Sequence, residues 1–169
     1  MILLHFPRLS LNPSIMKNYD IKRLIISILM LSSRSAAAQK DQDLIKAVIE
    51  KETQSFFRVD RKGWEESWQK TPYAYWFYSD STGTSYVEGW DQLNKTFDDY
   101  FKTAKPNQAK IINEWVEVRV YGNGAYARFT QRVQDDIDRD ETSQVRVLEK
   151  GKDGKWKVIC VAAVAVYSK

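Results

Sequence analysis

The sequence predicts an α+β domain, helices first and then a mainly antiparallel meander. Three observations carry this. Apolar residues recur at helical spacing through the first half of the chain, alternate with polar ones at a period of two through the second half, and the switch is punctuated by Gly, Pro and Asn. With 169 residues and 43% hydrophobic content, one domain with a real core is the expected organisation. Helices segregated from an antiparallel sheet cover one face of it, and the sheet must curve around them.

Residues 110–133 are the clearest stretch, two long strands joined at Asn123-Gly124. Ile112, Val116, Val118 and Val120 alternate with Asn113, Trp115, Glu117 and Arg119, and the return strand sets Ala127, Phe129 and Val133 against Tyr126, Arg128, Thr130 and Arg132. A type I′ Asn-Gly turn pairs Gly122 with Ala125, which puts Val120 opposite Ala127 and Val118 opposite Phe129. A three-residue loop through Gly122, Asn123 and Gly124 puts Val118 opposite Arg128, and is rejected unless a bulge restores the alternation.

From the N-terminus, Lys17, Lys22 and Arg23 form a basic region, residues 24–31 an apolar one, and Ala36-Ala37-Ala38 a small-residue cleavage site before Gln39. Residues 1–38 therefore read as a signal peptide, with Met16 a better start than Met1, and 39–169 as the domain. The apolar run is much shorter than the roughly 20 residues of a membrane span, so none is expected. The domain is then secreted or periplasmic. Cleavage removes Arg8, Lys17, Lys22, Arg23 and Arg34 from the 26 basic residues and Asp20 from the 22 acidic ones, and the two signs balance. The formal charge of +4 belongs to the leader, and a basic field for nucleic acid is absent from the rest.

The same cut removes His5, the one histidine, and leaves Cys160 as the one cysteine. No Ser-His-Asp triad, Cys-His pair, zinc site or internal disulfide can be built, and neither cofactor nor metal is expected. Cys160 follows Val158 and Ile159 and precedes Val161, so it reads as a small hydrophobe, the alternative being an intermolecular disulfide in an oxidising compartment.

Residues 41–59 are the first helix, with Leu44, Ile45, Val48, Ile49, Phe56 and Phe57 at amphipathic spacing. Asp60 caps a second, short helix in which Trp64 and Trp68 face the same way, and Pro72 closes it. Residues 73–79 form a strand with aromatics on both faces, turned back by 80–84 onto Tyr86 and Val87. Gly89 introduces a third helix over 90–103, with Leu93, Phe97, Tyr100 and Phe101 as its buried stripe. The long hairpin, strands at 143–149 and 156–167, and an Asp153-Gly154 turn between the last two complete the chain.

This order of elements, the Val87-Glu88-Gly89-Trp90 approach to the third helix, the hairpin from Val118 to Ala127 and the closing Gly154-Lys155-Trp156-Lys157-Val158-Ile159 resemble the SnoaL-like, nuclear-transport-factor-like superfamily. The resemblance spans nearly all of residues 41–167. It implies a cone: three helices wrapping a bent sheet around a pocket. It also implies a range of activities, from isomerases, dehydratases and cyclases to transport adaptors and secreted members without assigned activity, so function has to come from the site.

If the valine face of the hairpin is concave, Glu114 and Gln131 point into it. Desolvation there tunes a carboxylate toward a general base, while a position at the rim leaves it solvated. The resemblance places Trp68, Tyr75, Trp76, Tyr78, Tyr86 and Trp90 around the mouth, with Tyr100 or Gln131 as a polarising donor. The opposite sheet face carries Trp115, Glu117, Arg119, Arg128, Arg132, Gln144 and Arg146, read as a homodimer interface anchored by Trp115 rather than a nucleic-acid platform.

Residues 136–147 begin like a calcium loop but have Glu141 and Val147 where Gly and Glu are required. Asn94-Lys95-Thr96 fits a glycosylation sequon inside a helix. The leading expectation is a secreted protein that binds a small, apolar molecule. The alternatives are an isomerase, dehydratase or cyclase with Glu114 as base, and an interaction module whose cone is filled.

Overall fold

The computed structural model describes the backbone of residues 18–134 and 139–166 and the side chains of 38–134 and 140–166. The chain divides into two units, 1–37 and 38–169. Of the leader, Met16, Lys17 and everything before them lie outside the described residues, and 18–37 are described as the helical start of α1 (Asn18–Phe57). Among the described residues no helix is long and apolar enough to cross a membrane. The start of the calcium-like stretch, 135–138, also lies outside them.

In the second unit α1 buries a stripe through Ile45, Ile49, Glu52, Thr53 and Phe56, so the apolar face turns polar two turns before its end. The helix closes with Val59 N–H on Phe56 C=O at 3.0 Å and Asp60 N–H on Ser55 C=O at 2.8 Å, the two bonds of a Schellman motif. Val59 sits at φ +58°, where a β-branched residue is strained and Gly is usual. Asp60 then caps α2 (Arg61–Ser67) as expected, accepting from Gly63 N–H at 3.0 Å. A Cβ on Gly63 would stand 2.3 Å from Asp60 Oδ2 and 2.5 Å from Ser55 Oγ, so the capping side chain would have to shift to admit it.

β1 (Tyr75–Asp80) and β2 (Gly83–Glu88) follow. The expected third helix is broken in two, α3 (Trp90–Thr96) and α4 (Asp98–Thr103), with Phe97 as the junction. Charge placement agrees with the break. Lys95 stands in the last turn of α3 and Asp98 and Asp99 in the first turn of α4, each favoured at that helix end.

β3 (Lys110–Tyr121), β4 (Gly124–Gln134), β5 (Arg139–Lys150) and β6 (Trp156–Ala165) complete a six-stranded sheet in the order β2-β1-β6-β5-β4-β3. All neighbours are antiparallel except β1 and β6, which run parallel with Trp76 beside Val161.

The hairpin register differs from the sequence expectation. The loop is Gly122-Asn123, with Tyr121 facing Gly124, Val120 facing Ala125 and Val118 facing Ala127. Gly122 supplies φ +60° at the first loop position while Asn123 stays at negative φ, the signature of a type II′ turn rather than I′. A bulge at Val116 then shifts the pairing so that Trp115 faces Phe129. One extra residue reverses the parity of everything before it. Val116, expected inside, is 59% exposed, and Trp115, expected outside, packs on Phe129 with ring centroids 4.7 Å apart. A second irregularity falls between β5 and β6, where Val147 pairs Cys160 and Leu148 pairs Val158, leaving Ile159 as the extra residue.

The core is an aromatic plug of Trp64, Trp68, Trp90 and Trp156 packed with Leu93, Leu148, Val158 and Phe129. Trp64 and Trp68 share a side as expected, at 5.9 Å. Cys160 is half-buried and free, and burial pushes its thiol up from the usual range.

Val59→Gly should relieve the left-handed strain at the corner between α1 and α2. The expected outcome is a gain of about 1 kcal/mol in unfolding free energy, read by urea denaturation. A loss would mean that the packing of the Val59 side chain outweighs its backbone.

Candidate functional site

Beyond the tryptophan plug the interior is hollow. A cavity of about 270 Å³ lies between the end of α1 and the concave face of β1, β4, β5 and β6. Phe56, Phe57, Trp64 and Phe97 line it from the helical side, and Trp76, Tyr78, Val133, Val161 and Ala163 from the sheet. A cone filled throughout, the third expectation, is therefore not what this chain builds.

One end of the cavity is polar. Glu52 on α1 is 5% exposed and Arg146 on β5 4%, with Gln131 and Gln144 equally buried. Trp64 Nε1 donates to Glu52 Oε1 at 3.1 Å, and Thr53 Oγ1 to Oε2 at 3.3 Å. Arg146 Nη2 lies 3.8 Å from Glu52 Oε2, an ion pair without a hydrogen bond. Arg146 Nη1 donates to Gln144 Oε1, and Gln144 Nε2 donates to Thr142 Oγ1 at 2.6 Å. Gln131 Nε2 bridges Asn113 Oδ1 at 3.0 Å and Thr53 Oγ1 at 3.4 Å. The Arg146 guanidinium carbon stands 5.6 Å from the centre of the Phe129 ring.

Burial pushes the Glu52 carboxyl above its ordinary value, against the pull of the Arg146 charge and the Trp64 and Thr53 hydrogen bonds. Burial likewise lowers Arg146, with Glu52 pulling it back up. A buried carboxyl group and a guanidinium at the edge of an apolar hollow can bind a polar head group or move a proton.

The structure brings together a minority of the residues singled out from sequence. Trp76, Tyr78 and Gln131 line the cavity. Trp68 and Trp90 belong to the plug instead, buried against Trp64. Tyr75 and Tyr86 stack on each other on the outer sheet face, with Tyr86 66% exposed, because β1 alternates Tyr75 away from Trp76 and Tyr86 of β2 pairs with Phe77 on the same side as Tyr75. Tyr100 stacks on Phe56 and donates to the Phe56 carbonyl at 3.0 Å, so its hydroxyl is spent on α1.

Glu114 is not in the cavity. The Val116 bulge turns it to the outer face, where its half-exposed carboxylate accepts from Arg132. An exposed, arginine-paired carboxylate lacks the desolvation that a raised base requires. Trp115 is no outward anchor either, for the same reason of parity. Arg146 leaves the outer face because it shares its side of β5 with the fully buried Leu148. Glu117, Arg119, Arg128 and Arg132 do lie on the outer face, with Tyr126 Oη donating to Glu117 at 2.7 Å and Arg119 Nε at 2.8 Å. Asn94 of the sequon accepts from Arg61 Nη2 at 2.9 Å.

The sequence carries a signal for Glu52 and for the inward side of Arg146. The i, i+4, i+7 stripe from Ile45 and Ile49 lands on Glu52, and period two from Leu148 lands on Arg146 and Gln144. Each is a charge written into an apolar face.

At pH values between the ordinary glutamate value and the raised folded one, Glu52 is protonated in the fold and ionised in the unfolded chain. Folding stability therefore falls as pH rises from the ordinary glutamate value through the folded one. Wild-type unfolding free energy should decline across that window, and that of Glu52→Gln should not show this component. Urea melts of both from mildly acidic to alkaline pH check this, and parallel profiles would refute the burial effect.

No family profile and no curated protein matches the chain. Solved structures do match it in shape. A nuclear-transport-factor-2-like protein of unknown function from Shewanella oneidensis MR-1 aligns at 15% identity and TM-score 0.56, over 72% of this chain and 97% of that one. A ketosteroid isomerase-like protein from Erwinia carotovora atroseptica SCRI1043 aligns at 15% and 0.57, over 76% and 98%. A member of the same fold family from Streptomyces avermitilis aligns at 14% and 0.60, over 77% and 99%. The bent sheet, the helices on its concave side and these alignments agree, and the chain has the nuclear-transport-factor-2-like α+β cone fold.

Proposed function

We propose that the chain binds a small molecule with an apolar body in the cavity between α1 and the sheet. The supporting observation is the hollow itself: aromatic walls at one side and a buried Glu52–Arg146 pair at the other, the usual composition of a ligand site. A second reading, proton transfer by an isomerase-type enzyme with Glu52 as base, is favoured by the buried carboxyl at the cavity wall and by the fold shared with a ketosteroid isomerase-like protein. It ranks second because both Glu52 oxygens already accept hydrogen bonds from α1 and α2.

Native mass spectrometry of gently purified protein, and calorimetry with 4-phenyl-1-butanol as a neutral probe, test the first reading. Binding that disappears in Ala163→Trp, which fills the hollow from β6, is the expected result. No binding by wild type would sink it. Solvent deuterium appearing in bound 4-phenyl-2-butanone, and lost in Glu52→Gln, would promote the second reading.

Export and self-association remain proposals on the same footing. The division of the chain at 37 and 38 supports removal of a leader near Ala38, and Val145, Val164, Tyr86 and Tyr121 expose apolar surface on the outer face that a second copy would cover. N-terminal sequencing of exported protein should begin at Gln39, and sedimentation velocity should give a dimer. Retained N-terminal residues or a monomer would remove the respective proposal.

A further inference from the structure

Arg146 has more to give than its neighbours take. It lines the cavity, and its Nη1 donates to Gln144 Oε1. Its buried Nε has no hydrogen-bond partner among the described residues, and Nη2 reaches Glu52 only at 3.8 Å. A guanidinium presents five N–H donors in one plane and fits a carboxylate through two parallel bonds. Glu52 cannot supply that geometry, since Trp64 and Thr53 hold its oxygens where α1 puts them. The pair is loose because each partner is fixed on a different element.

Resting on the ligand-binding reading, we propose that the cavity takes an organic carboxylate with an apolar body, and that its head group replaces Glu52 as the partner of Arg146 while Glu52 takes up a proton. The aromatic walls hold the body, and Phe129 backs the guanidinium. Charge balance dictates the proton. Two carboxylates facing one buried cation leave an uncompensated negative charge, which neutralising Glu52 removes. The groups that face this exchange are few. Thr53 of α1, Trp64 of α2 and Gln131 of β4 do not titrate, the Tyr78 hydroxyl belongs to the β1 wall of the cavity, Asp140 stands exposed on the cavity wall, and the Cys160 thiol of β6 feels the Arg146 charge. A neutral molecule of the same shape has no charge to exchange.

The test titrates the full chain with 4-phenylbutyrate and with 4-phenyl-1-butanol by calorimetry, in two buffers of different ionisation enthalpy, at a series of pH values from mildly acidic to alkaline, since proton uptake requires that Glu52 start ionised. The acid should bind about tenfold more tightly than the alcohol, as charge-assisted bonds are stronger than neutral ones, and take up as much as one proton per ligand. Glu52→Gln should bind the acid several-fold more tightly with no proton uptake, because the competing charge is gone. Arg146→Gln should lose the preference for the acid and keep the alcohol, which also reports that the variant is folded.

Binding of the alcohol with no advantage for the acid, or acid binding without proton uptake in wild type, overturns the inference and leaves the ligand site standing. Failure of both probes overturns both. If Arg146→Gln does not fold, Glu52→Gln decides, and acid affinity equal to wild type overturns the exchange.

Discussion

The bend of the sheet is the constraint on which the rest depends, and two extra residues contribute to it. Val116 in β3 and Ile159 in β6 each break the pairing ladder once. A bulge bends its strand and raises its twist, which adds to the twist that every sheet carries and helps it curl away from α1. Curling leaves the tryptophan plug in contact at one end and a hollow at the other. It also decides which side chains see that hollow. The carboxylate of Glu114 is outside and the ring of Trp115 inside because of one residue.

The polar end of the hollow is held by elements distant in sequence. α1 and α2 present Glu52 and Trp64, fixed by the corner at Val59 and Asp60, and β5 presents Arg146 from the far side of the core. Burying two charges carries a desolvation cost that their loose contact repays poorly. A fold selected for stability alone would place apolar residues there. Their presence in a cavity wall supports the proposed ligand site.

Much of the architecture was written in local pattern. Asp60 as a cap, the Trp64–Trp68 side, the four long strands and the sequence of helices then sheet all follow from spacing and turn residues. What pattern could not give was parity across the bulge, since nothing in Asn113-Glu114-Trp115-Val116-Glu117 announces an extra residue. The site suffered accordingly. Glu114 and Trp115 exchanged faces, and Tyr75 of β1 and Tyr86 of β2 lie outward because Trp76 takes the inner side of β1. Glu52 and Arg146 were recoverable, because Ile45, Ile49 and Leu148 fix the phase of their own elements without any bulge between.

The place of β6 in the sheet bears on how the molecule comes into being. It is the last strand of the chain, yet it lies third in the sheet, joining the β1–β2 hairpin on one side to β5 on the other, and its parallel partner Tyr75 is paired with Cys160. Until those final residues are available, the first hairpin has no sheet to join and the β3–β4–β5 meander has an open edge. Joining the first hairpin to the meander thus waits until residues 156–165 are made, a topology of high contact order that folds slowly and exposes strand edges meanwhile. A chain shortened by its last strand would be two separate sheets, with the cavity lost between them.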